Sequence, residues 1–196
     1  CGLARVITGA RAIHHAAQGP APTGEPSVYY ANHRSHIDFL LVWAALPPRV
    51  RRRTRPVAGA DYWLASPLRR GVARRICRAG LGGRGGAAHA AADPLAAMHA
   101  ALDAGESLIV FPEGTRTVTP PVDACASTAG VIAARAGVPV QALLIEMSTP
   151  YLGKHWPLWR PPVLPLSCRV RVGQRWAVLE RPQQFGPEIE AYFREA

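Results

Sequence analysis

The chain has 196 residues, 48% of them hydrophobic, and a net charge of +10. That is one domain's worth of sequence, able to build a core without disulfide staples, and too apolar for intrinsic disorder. The longest uninterrupted apolar run, from Phe39 to Leu46, stops at Pro47-Pro48 and falls well short of the ~20 residues that a bilayer span needs.

The chain starts at Cys1 with no cleavable signal pattern, which leaves room for a membrane anchor upstream. Its four cysteines, Cys1, Cys77, Cys125 and Cys168, stand far apart with no Cys-x-x-Cys pair. This spacing disfavours a zinc site and a disulfide framework, and it suits a reducing, intracellular setting.

In chain order, Leu3, Val6, Ile7, Ala10 and Ile13 follow helical spacing, so a short amphipathic helix and linker are expected over 1–24. The body follows over 25–196. Residues 27–31 read as a buried strand and 37–46 as a helix ended by the double proline. A second short strand is expected over 55–60, then a basic helix over 66–79. Asp93-Pro94 is a helix start, with a capping side chain followed by proline at the first helical position, and Gly105 closes that helix. A third strand is expected over 107–111, a helix over 127–136, a fourth strand over 138–145 and one or two late strands over 169–179. Strands alternating with helices point to a single α/β domain with a largely parallel central sheet flanked by helices.

The charge is concentrated. Residues 49–84 hold eleven arginines against one acid, Asp61, while the whole chain has one lysine, Lys154. Arg70, Arg74 and Arg78 recur every four residues and would form one stripe of the expected helix. Arg51, Arg52 and Arg53 form a second group. A solvated basic face is the plain reading; the functional one is an anion surface for phosphates, acidic headgroups or an acidic carrier protein. Charge alone would also admit nucleic acid, but aromatic residues do not interleave the arginines as single-strand binding requires.

Two motifs lie directly after expected strands. In Asn32-His33-Arg34-Ser35-His36-Ile37-Asp38 the histidine sits where α/β folds place their ligands. A carboxylate on one imidazole nitrogen fixes the tautomer and raises the basicity of the other. Ser35-x-x-Asp38 before an apolar run also reads as a helix capping box, which needs no chemistry. In Phe111-Pro112-Glu113-Gly114-Thr115-Arg116 the glycine permits close backbone approach to a ligand, and Arg116 offers a planar fork suited to phosphate. The plain reading is a turn with a surface ion pair. Neither a Gly-x-Ser-x-Gly elbow nor a Gly-x-x-x-x-Gly-Lys loop occurs, which disfavours serine hydrolases and phosphate-loop NTPases.

Taken together, NHRSHID and FPEGTR in this order resemble the 1-acylglycerol-3-phosphate acyltransferase (lysophosphatidic acid acyltransferase, PlsC-like) family, over roughly residues 27–145. Weaker matches are the tract at 80–84 and Val138-Pro139-Val140. The resemblance implies acyl transfer from acyl-CoA or acyl-carrier protein to the hydroxyl of a lysophospholipid, with His33 as general base and Asp38 as its orienter. It implies no acyl-enzyme, no metal and no bound cofactor. Arg116 and Arg84 would hold the acceptor phosphate, with Glu113, Gly114 and Thr115 shaping that pocket. The arginines at 51–53 and at 70, 74 and 78 would meet an anionic membrane surface at the cytoplasmic face. Gly82-Gly83 stand where the family has an isoleucine and often an aspartate, Ala142 replaces its second proline, and Thr128 replaces a lysine. These departures keep another acceptor open, such as a lyso-ornithine lipid. The rival from a different class is a non-enzymatic binder of anionic lipid or nucleic acid.

Overall fold

A computed structural model describes residues 11–13, 19–57, 94–111, 123–153, 156–157, 160–163, 166–177 and 182–195. Six strands form one sheet: β1 (Arg11–Ile13), β2 (Val28–Ala31), β3 (Thr54–Pro56), β4 (Ser107–Val110), β5 (Val140–Met147) and β6 (Cys168–Trp176). Their order is β1-β6-β5-β2-β4-β3, and every pairing is parallel except the antiparallel β5–β6 pair. The expected α/β domain with a largely parallel sheet is what forms. β2 is central, flanked by β5 and β4, so the C-terminal ends of these three strands open on one edge.

All four residues of β2 are buried, which is why the strand reads as an unbroken apolar run. Its side chains alternate between two cores. Tyr29 and Ala31 pack with Phe39, Leu41 and Val42 of α1 (Asp38–Ala45). Val28 and Tyr30 pack with Leu102 of α3 (Pro94–Asp103), Ile132 of α4 (Asp123–Arg135), and Phe185 and Ile189 of α5 (Pro182–Glu195). Helices cover both faces, and each large side chain so buried contributes about 1.5–3 kcal/mol.

The helix ends follow local chemistry. α1 stops at Leu46, whose ψ of 142° is the extended conformation imposed by the following Pro47. A one-turn helix, α2 (Pro48–Arg51), restarts directly afterwards with proline in its first turn. α3 ends in a Schellman motif: Gly105 sits at φ +78°, its N–H donating to Leu102 and that of Glu106 to Ala101.

Two expectations change. Residues 11–13, taken as the end of an amphipathic helix, form a strand, because β6 offers them a parallel partner; residues 1–10 lie outside the described residues. The 127–136 helix begins earlier, at Asp123. The late segment forms a single strand, within the one or two expected, and it runs antiparallel to β5. The sequence reading also missed α5, since Gly186-Pro187 reads as a break. Phe185 and Ile189 nonetheless recur at helical spacing and are both buried. The basic helix over 66–79 lies outside the described residues. No helix among those described is long and apolar enough to cross a membrane.

Candidate active site

β2 ends at Ala31, and the next residue holds its end in place. Asn32 spans to β5, donating through its amide nitrogen to the Ile145 carbonyl (3.0 Å) and accepting from the Ile145 N–H (2.7 Å). The side chain thus reproduces one more rung of the sheet while the backbone turns away. His33 is thereby delivered past the sheet edge, with its side chain 20% exposed.

From there the chain folds back into α1. Asp38 is fully buried, and one of its oxygens, Oδ2, faces three donors. His33 Nδ1 lies 3.0 Å away, and the N–H groups of Arg34 and Ser35 each donate across 2.6 Å. A carboxylate can only accept, so His33 carries its proton on Nδ1 and Nε2 becomes the basic nitrogen. Half of the capping box also forms, since Asp38 accepts from the Ser35 N–H. The reciprocal bond does not: the Asp38 N–H goes to the Ser35 carbonyl (3.3 Å), and the Ser35 hydroxyl turns elsewhere. The capping and orienting roles of Asp38 therefore coexist in one oxygen.

The second motif enters the site through its first residue. Phe111 directly follows β4, and its ring lies 4.5 Å from the His33 ring at a tilt of 32°. Parallel pairing of β2 and β4 brings together two motifs more than seventy residues apart. Neither the Asn32 brace nor the Phe111 contact was assigned a role from sequence; both motifs carried these residues without showing what they touch. Glu113, Gly114, Thr115, Arg116 and Arg84 lie outside the described residues, as do Arg70, Arg74 and Arg78.

The arginine group at 51–53 divides. Arg52 and Arg53 are exposed, whereas Arg51 is half-buried. The Arg51 guanidinium donates to the carbonyls of Ala44 and Leu46, both at 2.8 Å, and lies 5.1 Å from the Trp43 ring centre. It closes the C-terminal end of α1, where a cation meets the negative pole of the helix. Counting charges could not separate this inward arginine from its outward neighbours. Arg55, from the same basic stretch, pairs with Glu106 at the start of β4. Among the described residues no cluster of histidine, cysteine and acidic side chains is arranged to hold a metal.

Burial raises the pKa of the Cys168 thiol, and the nearby Asp38 carboxylate raises it further, so this cysteine is a packed core residue of β6.

Comparison with known proteins agrees with this architecture. The fold is similar to the crystal structure of the 1-acyl-sn-glycerophosphate (LPA) acyltransferase PlsC from Thermotoga maritima. The TM-score is 0.67 at 17% sequence identity, covering 99% of this chain and 74% of that one. No curated protein matches by sequence. The family model described as Acyltransferase matches residues 12–146, a stretch that contains the His33–Asp38 turn, Phe111, strands β2–β4 and all of β5 but its last residue. With well over half of its length matched by that model, the chain belongs to the acyltransferase family of enzymes.

Proposed function

We propose that the protein transfers a fatty acyl group from an acyl thioester, acyl-CoA or acyl-carrier protein, to the hydroxyl of a lysophospholipid such as 1-acylglycerol-3-phosphate. The observation that carries this reading is the His33–Asp38 pair at 3.0 Å, projected from the end of the central parallel strand and stacked on Phe111. The acceptor hydroxyl gives its proton to His33 Nε2 as its oxygen attacks the thioester carbonyl carbon. Collapse of the tetrahedral intermediate breaks the C–S bond, and the proton leaves with the thiol. Asp38 keeps the imidazole in the accepting tautomer and stabilises the imidazolium. Because the hydroxyl attacks directly, no acyl-enzyme forms.

Arg116, Arg84, Glu113, Gly114 and Thr115 are proposed to bind the acceptor phosphate, a role resting on their motifs. Arg52 and Arg53 are exposed beside the short helix that follows α1. They suit contact with anionic headgroups at the cytoplasmic face, where a lipid acceptor would reside.

The test is thiol release from acyl-CoA against a panel of lyso-lipids, comparing wild type with His33→Ala. Turnover with a phosphate-bearing acceptor is expected, falling about 10²–10⁴-fold in the variant. Unchanged turnover in His33→Ala would remove the base assignment. The unusual residues before Arg84 make a lyso-ornithine lipid the comparison acceptor in that panel, and a preference for it would overturn the phosphate reading.

A further inference from the structure

Ser35 lies in the middle of the turn between His33 and Asp38 and is 1% exposed. Its backbone N–H holds Asp38 Oδ2 at 2.6 Å. Its hydroxyl faces the opposite way, toward the chain that leaves β5, and donates to the Tyr151 carbonyl at 2.7 Å, with the Leu152 carbonyl at 3.4 Å. The same oxygen accepts the Ile37 N–H at 3.3 Å. The next residue adds a second tie, since the His36 N–H donates to the Leu152 carbonyl at 2.9 Å. Leu152 has φ +52°, the left-handed region that a leucine occupies only where surrounding contacts hold it. A Cβ on Gly153 would lie 3.6 Å from the Arg34 carbonyl, so residues 151–153 run in contact with the turn.

These contacts join two jobs in one buried residue. The amide of Ser35 fixes the carboxylate that orients His33, and its hydroxyl fixes the turn to the segment beyond β5. Without the hydroxyl, the turn would lose its side-chain tie to that segment and keep the His36 N–H bond to Leu152. A displacement of about 1 Å at the reacting groups can lower rate about 100-fold, even when the mutation lies away from the chemistry.

We propose that Ser35 is a positioning residue for acyl transfer, its hydroxyl latching the Tyr151–Leu152 carbonyls to the His33–Asp38 turn and so holding the base in register. The proposal rests on His33 being the base. It predicts that Ser35→Ala lowers kcat about tenfold or more, with KM for acceptor and donor within about twofold of wild type. Ser35→Thr, which keeps the oxygen, restores most of the loss. Leu152→Pro attacks the latch from the other side, because proline cannot adopt φ +52°. It should reproduce the kcat defect without touching the buried serine, so the question stays answerable even if Ser35→Ala does not fold.

A readout independent of turnover is the NMR signal of the His33 Nδ1 proton held by Asp38, assigned by its loss in His33→Ala. It should be sharp in wild type and Ser35→Thr, and broadened or lost in Ser35→Ala and Leu152→Pro. Wild-type kcat together with an unchanged Nδ1 proton in Ser35→Ala, or in Leu152→Pro should the serine variant not fold, would overturn the proposal. So would a defect confined to KM, which would make the latch part of a binding wall. If His33→Ala retains turnover, the base reading fails by itself, and a kcat loss in Ser35→Ala would then have to act through some other group.

Discussion

A single buried oxygen, Asp38 Oδ2, receives an imidazole and two backbone amides. Its replacement therefore disturbs stability and chemistry together. In Asp38→Asn the charge is lost and the hydrogen bonds weaken, while the imidazole stays in place. We expect a stability loss of about 1.5–3 kcal/mol in urea melts, and a turnover defect smaller than that of His33→Ala. A variant as stable as wild type would show that the three donors contribute little. Tyr29, on the central strand β2, supplies a pH dependence. Its burial pushes the phenol up to about 12, with the Arg175 guanidinium and the hydroxyls of Ser27 and Ser107 offsetting part of the effect. The folded state holds this proton more tightly than the unfolded chain, whose phenol titrates near 10. The associated stability is thus complete below pH 10 and is lost as pH rises through about 12. Tyr29→Phe should flatten that alkaline decline in thermal melts; an unaltered decline would place its origin elsewhere.

Among the elements, α1 depends on both of its ends. Asp38 occupies its first turn, and at the other end Arg51 answers carbonyls that the helix cannot satisfy internally. Arg51→Ala should lower stability by about 1 kcal/mol, a figure kept small because the side chain is only half-buried. Alanine at Arg52 or Arg53 should leave the melting temperature unchanged and instead weaken sedimentation with anionic vesicles. Equal melting temperatures for all three variants would mean that the Arg51 contacts contribute nothing. Three arginines in a row thus divide between closing a helix and facing outward.

Across the whole molecule, the sheet separates two cores, and the proposed chemistry is tied to one of them. Asp38 and α1 lie on one face; α3, α4 and α5 pack on the other. On that second face Phe185 meets Tyr30 edge-on at 6.2 Å and Trp176 at 5.3 Å. It also fills the space beside Gly130 of α4, where an added Cβ would lie 2.9 Å from its ring. Phe185→Ala should therefore destabilise the protein by about 3–5 kcal/mol. Well below its lowered melting temperature, kcat should stay near the wild-type value. A large fall in kcat in the still-folded variant would mean that the two faces are coupled.

Much of this was legible in the chain because the relevant signals are local. The buried strands at 28–31 and 107–110 are short apolar runs bounded by polar turns, and both proposed catalytic residues, His33 and Asp38, fall within six residues of one another. Gly105 and the Pro47-Pro48 pair mark helix ends by backbone sterics alone, wherever the helix packs. Tertiary structure decided the rest, since the deciding partners are distant in sequence. Arg11–Ile13 has hydrophobic spacing that suits a helix, but three residues can become a strand when β6 supplies the hydrogen-bonding edge. α5 holds a glycine and a proline that argue against a helix, yet the aromatic-lined core on its face of the sheet and Gly130 leave a slot for Phe185 that outweighs the local penalty. The proposed base is braced by Asn32 on Ile145, 113 residues away, and by Ser35 on Tyr151, 116 residues away. A spacing rule reads neighbours along the chain. The site is completed by neighbours across a sheet, and those exist only once the strands have paired.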